Sequence, residues 1–111
     1  MNNKPCEPTD GAHYIAHSLR QLGVSHVFFM DAILRPTLVL MEEHGIIRIL
    51  AHSEKSAAYM ADGYARITNR VGVCLAQSVG AANLAAGLQD AYLHRAPLVA
   101  MTGRKEPMLR H

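Results

Sequence analysis

Tryptophan is absent from this 111-residue chain, and four tyrosines with two phenylalanines are all its Phe, Tyr and Trp content. Surfaces that stack nucleobases need more than that. Lys and Arg exceed Asp and Glu only slightly, 11 against 9, and no basic stripe forms. A nucleic-acid partner is therefore not expected. Cysteine is scarce too: Cys6 lies in a polar leader and Cys74 in an apolar run. That pattern is no disulfide scaffold and fits a reducing compartment. No apolar run approaches the roughly 20 residues that cross a bilayer. The opening "MNNKPCEPTD" also lacks the apolar core of a signal peptide. A soluble cytoplasmic protein, away from membranes, is expected. Several chemical motifs are missing as well: G-x-G-x-x-G, the P-loop lysine, the G-x-S-x-G elbow and a Ser-His-Asp order.

What is present is an ordinary globular balance, 50% hydrophobic and 18% charged, at a length suited to one domain. Helix-period and continuous apolar stretches alternate. Residues 11–22 suit a helix with Asp10 as N-cap and Gly23 just past its end. "HVFFM" (26–30) reads as a strand. Residues 34–44 suit a helix with Pro36 in its first turn and Gly45 at its end. "IIRILA" (46–51) is strand-like, and a third helix covers about 54–67. "VGVCLA" (71–76) is followed by a helix over about 79–93 capped by Ser78, and "PLVAMTG" (97–103) by the last residues. Strands separated by helices imply crossovers. The expected fold class is α/β, an open parallel sheet with helices on both faces. Four strands make a small sheet that stops just after a strand. The expectation is a polar leader (1–10) and a domain (11–111) whose C-terminal part is missing.

Glu54 is the oddest residue. Positions 54, 57, 58, 61 and 65 share one helix face, and the last four are alanine. Lys55, Asp62 and Arg66 are expected to point elsewhere. A carboxylate on an alanine face loses water, and its pKa should rise unless it finds a donor. The plainer reading is a first-turn charge that complements the helix dipole. The turn "AQSVGAAN" (76–83) leaves a buried strand and opens a helix, where open α/β sheets bind ligands. Gln77 and Ser78 stand at the right end of that strand to face one; Ser78 as a plain N-cap is the competing view. The helix after it is again rich in small residues, with Leu84, Leu88 and Tyr92 anchoring one side. It could pack on its own sheet or across a subunit interface. His13 and His17, four residues apart, have the spacing of metal ligands on one face, but a solvated face is the preferred reading. Cys74, inside an apolar strand, is expected to be inert.

"EKSAAYMADGYAR" resembles the E-x-x-A-A-x-x-A-D-G-Y-A-R signature of thiamine diphosphate-dependent enzymes, in the group of acetolactate synthase, pyruvate oxidase and 2-oxo acid decarboxylases. "GVCLAQSVGAANLAAGLQDAYLHRAPLVAMTG" (72–103) extends the resemblance, which covers most of the chain from Gly11 onward. The resemblance implies the N-terminal pyrimidine-binding domain. Glu54 would then hydrogen-bond the cofactor's aminopyrimidine N1′ and promote loss of the thiazolium C2 proton. Gln77, Ser78 and Asn83 would line the pyrimidine side, and Asp31 would occupy the loop after the first strand. The resemblance further implies a site completed by the diphosphate-binding domain of another subunit in a homo-oligomer. It implies a 2-oxo acid substrate, thiamine diphosphate as cofactor, and Mg2+ held by a domain absent from this chain. It leaves room for FAD in the parent. Two loops depart from the family pattern. S-G-P-G-A-T-N reads "SVGAAN", and the glycine-rich loop after the first strand reads "FMDAILRP". The Gly-Asp-Gly…Asn-Asn segment that holds magnesium and diphosphate is not among these 111 residues. The fragment alone is therefore expected to be inactive. Two rival readings accompany this one: a subunit of a split 2-oxo acid decarboxylase, and a non-catalytic dimerisation module of the same fold.

Overall fold

A computed structural model describes residues 10–30 and 34–104. The elements run α1 (Gly11–Gln21), β1 (His26–Phe29), α2 (Arg35–Glu43), β2 (Ile47–Leu50), α3 (Glu54–Thr68), β3 (Gly72–Gln77), α4 (Gly80–Asn83), α5 (Ala85–Leu93) and β4 (Leu98–Gly103). Local chemistry explains most boundaries. Asp10 accepts from the His13 amide and caps α1. That bond, first among the contacts with His13, holds the Asp10 carboxyl below the usual range. Gly23 and Gly45 close the turns after α1 and α2 with positive φ, +80° and +72°, a conformation that a side chain disfavours. Ser53 caps α3 by accepting from the Ser56 amide. Asn69 ends that helix in the left-handed region at φ 53°.

The strands form one sheet in the order β2-β1-β3-β4. All three pairings are parallel, as the alternation of helices and strands predicts. Between β1 and β3 the chain's direction of travel across the sheet reverses, which makes this the topological switch point.

Alternation along the strands builds two cores. Val27, Val73 and Leu75 face α1 and α2, where they meet Ala16, Leu19, Leu38 and Met41. Phe28, Cys74 and Ala76 face the opposite way, toward Ala57, Ala58 and Ala61 of α3 and toward Leu84. Helices therefore cover both faces, in agreement with the expected class. Burial at Cys74 pushes its thiol up to about 11, consistent with an inert structural cysteine.

Two expectations need correction. The single helix over 79–93 is broken at Leu84, whose amide reaches back only to Ala81 O in a tightened turn. Ser78 is not a cap: Val79 takes the N-cap position of α4 and no side chain caps it. Ser78 instead sits at φ 43°, a left-handed conformation unusual for a residue with a Cβ. Its amide donates to Gly103 O at 2.9 Å, which ties the turn to the end of β4.

Candidate functional site

Glu54 opens α3 directly beyond the C-terminal end of β2, and Gln77 and Ser78 end β3 on the same edge of the sheet. In open α/β sheets this edge is where ligands bind. The alanine face is as expected: Ala57, Ala58 and Ala61 are wholly buried and Ala65 nearly so. Glu54, at the outer end of that face, is partly buried. It finds a donor across the crevice, because Asn83 Nδ2 donates to its Oε2 at 3.3 Å.

Close approach is possible here because glycine meets α3 three times. A Cβ on Gly72 would lie 2.2 Å from Ala61 O, and one on Gly87 2.5 Å from Ala58 Cβ. A Cβ on Gly80 would lie 2.5 Å from Glu54 Oε1 and 3.0 Å from its carboxyl carbon. The strand β3, the helix α5 and the turn between them thus all press on α3 through bare backbone. Among the expected site residues, the structure brings Glu54 and Asn83 into contact. Gln77 and Ser78 lie at the neighbouring strand end, partly buried. Asp31 lies outside the described residues, as does the leader up to Thr9. Gly80 was not singled out from the sequence; the bare glycine in "SVGAAN" was the available signal, but its contact with a residue 26 positions earlier depends on the fold.

Asp62, expected to point away from the alanine face, is nevertheless buried, at 4% exposure. Arg66 makes this tolerable by donating through Nε and Nη2 at 2.9 and 2.7 Å. The hydrogen bond to Asp62 raises the Arg66 pKa. Arg66 also reaches Asp90 of α5 at 3.3 Å, and His94 Nδ1 lies 3.4 Å from that same carboxylate. This network fastens α3 to α5 on the side away from the sheet edge that bears Glu54.

The histidines divide along similar lines. His13 contacts Asp10, and the ring of His17 meets that of His44 edge-on at 5.8 Å. Among the described residues, no group of three or more His, Cys, Asp and Glu could hold a metal ion. No helix among them is long and apolar enough to cross a membrane. A cavity of about 450 Å³, lined by residues that include Val24, Arg70, Val71 and Pro97, opens at the opposite edge of the sheet, where the strands begin.

The family described as thiamine pyrophosphate enzyme, N-terminal TPP binding domain, matches residues 9–111. Acetolactate synthase isozyme 2 large subunit of Escherichia coli K12 is 41% identical over 97 residues, 86% of this chain and 18% of that protein. Acetolactate synthase 1, chloroplastic, of Oryza sativa is 41% identical over 103 residues, 90% of this chain and 16% of that protein. The acetolactate synthase large subunit of Lactococcus lactis is 35% identical over 105 residues, 92% and 18% of the two chains. The chain therefore spans less than a fifth of the length of these relatives. A solved structure from Mycobacterium smegmatis, assigned as a thiamin diphosphate-dependent enzyme, shares the fold with a TM-score of 0.75. It is 24% identical and covers 92% of this chain and 20% of that one.

Proposed function

Because the chain belongs to the family of thiamine pyrophosphate enzyme N-terminal TPP binding domains, we propose that it forms the aminopyrimidine side of the cofactor site in an acetolactate synthase-like enzyme acting on a 2-oxo acid. Glu54 is the residue that activates the cofactor. The observation that carries this reading is a carboxylate placed at the C-terminal edge of a parallel sheet, on an alanine face, with its Oε2 held by Asn83.

The residues present fit such a group. Glu54 is open enough to meet a ring nitrogen, and one donor leaves lone pairs available for it. It stands at the outer end of the alanine face of α3, beside the bare Gly80. Gln77, Ser78 and Asn83 would line the pyrimidine side, as would Asp31, which lies outside the described residues. The chemistry such a cofactor supplies is an electron sink for decarboxylation of a 2-oxo acid. Magnesium and the diphosphate fall to the diphosphate-binding domain of another subunit in a cytoplasmic homo-oligomer. Val79, one residue from Gly80, is 85% exposed and offers apolar surface beside Glu54 to such a neighbour.

Glu54→Gln tests the assignment in the full-length enzyme loaded with thiamine diphosphate and magnesium. Exchange of the cofactor C2 proton with solvent deuterium should slow by about a hundredfold or more, the range for loss of a proton-transfer group. Exchange at the wild-type rate would remove Glu54 from the mechanism.

A further inference from the structure

We infer that α4, with the turn that leads into it, is a jig that sets the Glu54 carboxylate in one orientation, with Gly80 and Asn83 as its two positioning residues. The inference rests on Glu54 being the activating carboxylate. A glutamate in the first turn of a helix ordinarily swings among several rotamers. Here one residue holds it and another leaves it the room it occupies. Asn83 Nδ2 holds Oε2 at 3.3 Å. Gly80 is buried and offers only its bare Cα, so Oε1 and the carboxyl carbon sit where a side chain on residue 80 would stand, 2.5 and 3.0 Å from a Cβ there.

The local backbone explains how both contacts reach one residue. In α4 the Ala81 amide bonds Ser78 O and the Ala82 amide bonds Val79 O, each at 3.1 Å. Such i→i+3 bonds make a tight turn in which residues three apart share a side. Gly80 and Asn83 are three apart, and both meet Glu54. The turn is aimed by Ser78, whose left-handed φ of 43° is an uncommon conformation and whose amide is tied to Gly103 O. Glu54 is held at its other end by α3, whose alanine face is seated on the sheet and on α5.

Gly80 and Asn83 are thus assigned to orient Glu54, whether or not Asn83 also touches the cofactor. The test compares Gly80→Ala and Asn83→Ala in the full-length enzyme, each with Glu54 and with Gln at position 54. In a crystal structure of ligand-free G80A, the Glu54 carboxyl should be displaced from its place against residue 80. In ligand-free N83A it should occupy more than one rotamer. Exchange of the cofactor C2 proton should slow about a hundredfold in G80A, as for a misplacement on the order of 1 Å. It should slow about tenfold in N83A, as for loss of a single orienting hydrogen bond. In the E54Q background neither change should slow exchange further, because both act through the carboxylate. An unmoved carboxyl with wild-type exchange in N83A overturns the jig. So does an equal slowing in both backgrounds, which would mean a route other than Glu54. If E54Q alone leaves exchange at the wild-type rate, the functional assignment fails instead, and the ligand-free structures still decide whether the turn orients Glu54. N83A carries the test should G80A not fold.

Discussion

The two faces of the sheet are filled by opposite means. Toward α1 and α2 the space is taken by Leu19, Val24, Leu38, Met41 and Ile46 against Val27, Val73 and Leu75. Toward α3 it is taken mainly by Ala57, Ala58 and Ala61 against Cys74 and Ala76, with Phe28 and Leu84 as the large side chains and glycine at the tightest points. The first face separates helix from sheet by large side chains and draws its stability from apolar area removed from water. The second brings backbones together along α3, where alanine and glycine leave little side-chain volume to give up. One layer should fail by subtraction and the other by addition. The catalytic candidate stands on the second, at the end of an α3 face seated through alanine and glycine.

The largest expected effects come from a matched pair. Met41→Ala removes a fully buried side chain and should cost about 3 kcal/mol, mainly through the cavity it leaves. Gly72→Val places a branched side chain 2.2 Å from Ala61 O, a backbone atom that cannot rotate away, and should cost about 3 kcal/mol or more. Urea unfolding of both variants checks the contrast; a mild Gly72→Val would show that α3 can lift off the sheet. Gly87→Ala comes next, at about 1–3 kcal/mol, because its Cβ would meet Ala58 Cβ at 2.5 Å. Adding Ala58→Gly should return part of that loss, since the two residues share one contact. Additive costs would mean that the Tyr59 amide, 3.0 Å away, sets the limit.

The smallest effect at neutral pH belongs to Cys74, which lines the α3 face. The folded thiol keeps its proton to about pH 11, whereas an unfolded chain releases it at roughly 8.5. Above that value the folded state binds more protons than the unfolded one, so stability must fall as pH rises and level off beyond about 11. The comparison of Cys74→Ala with wild type across this window isolates the contribution. Identical pH profiles would show a thiol that ionises as readily in the fold as out of it.

The same division governs what the sequence disclosed. Element order, the parallel sheet and the buried alanines were legible because periodicity and capping are local properties; Asp10, Gly23, Gly45 and Ala57 each declare their place within a few residues. Glu54 stood out as a candidate through its signature. The family and the α/β class agree with the comparisons and the topology. The burial of Asp62 was not legible because it depends on Arg66 and on an Asp90 supplied by a later helix. Ser78 looked like a cap because serine usually caps; the bond from its amide to Gly103 O belongs to a strand 20 residues further on. Gly80 showed only as a bare glycine in "SVGAAN", since a missing side chain acquires meaning from what occupies the space.

The glycine contacts along α3 also have an entropic consequence. Burying leucine, isoleucine or methionine freezes rotamers, a cost that grows with temperature, whereas alanine and glycine have no rotamers to freeze. Warming should therefore set side chains hopping in the layer of Leu38 and Met41 while the seam at Gly72, Gly80 and Gly87 stays in register. The base of Glu54 would keep its position across the working range of temperature, with thermal disorder greater on the opposite side of the sheet.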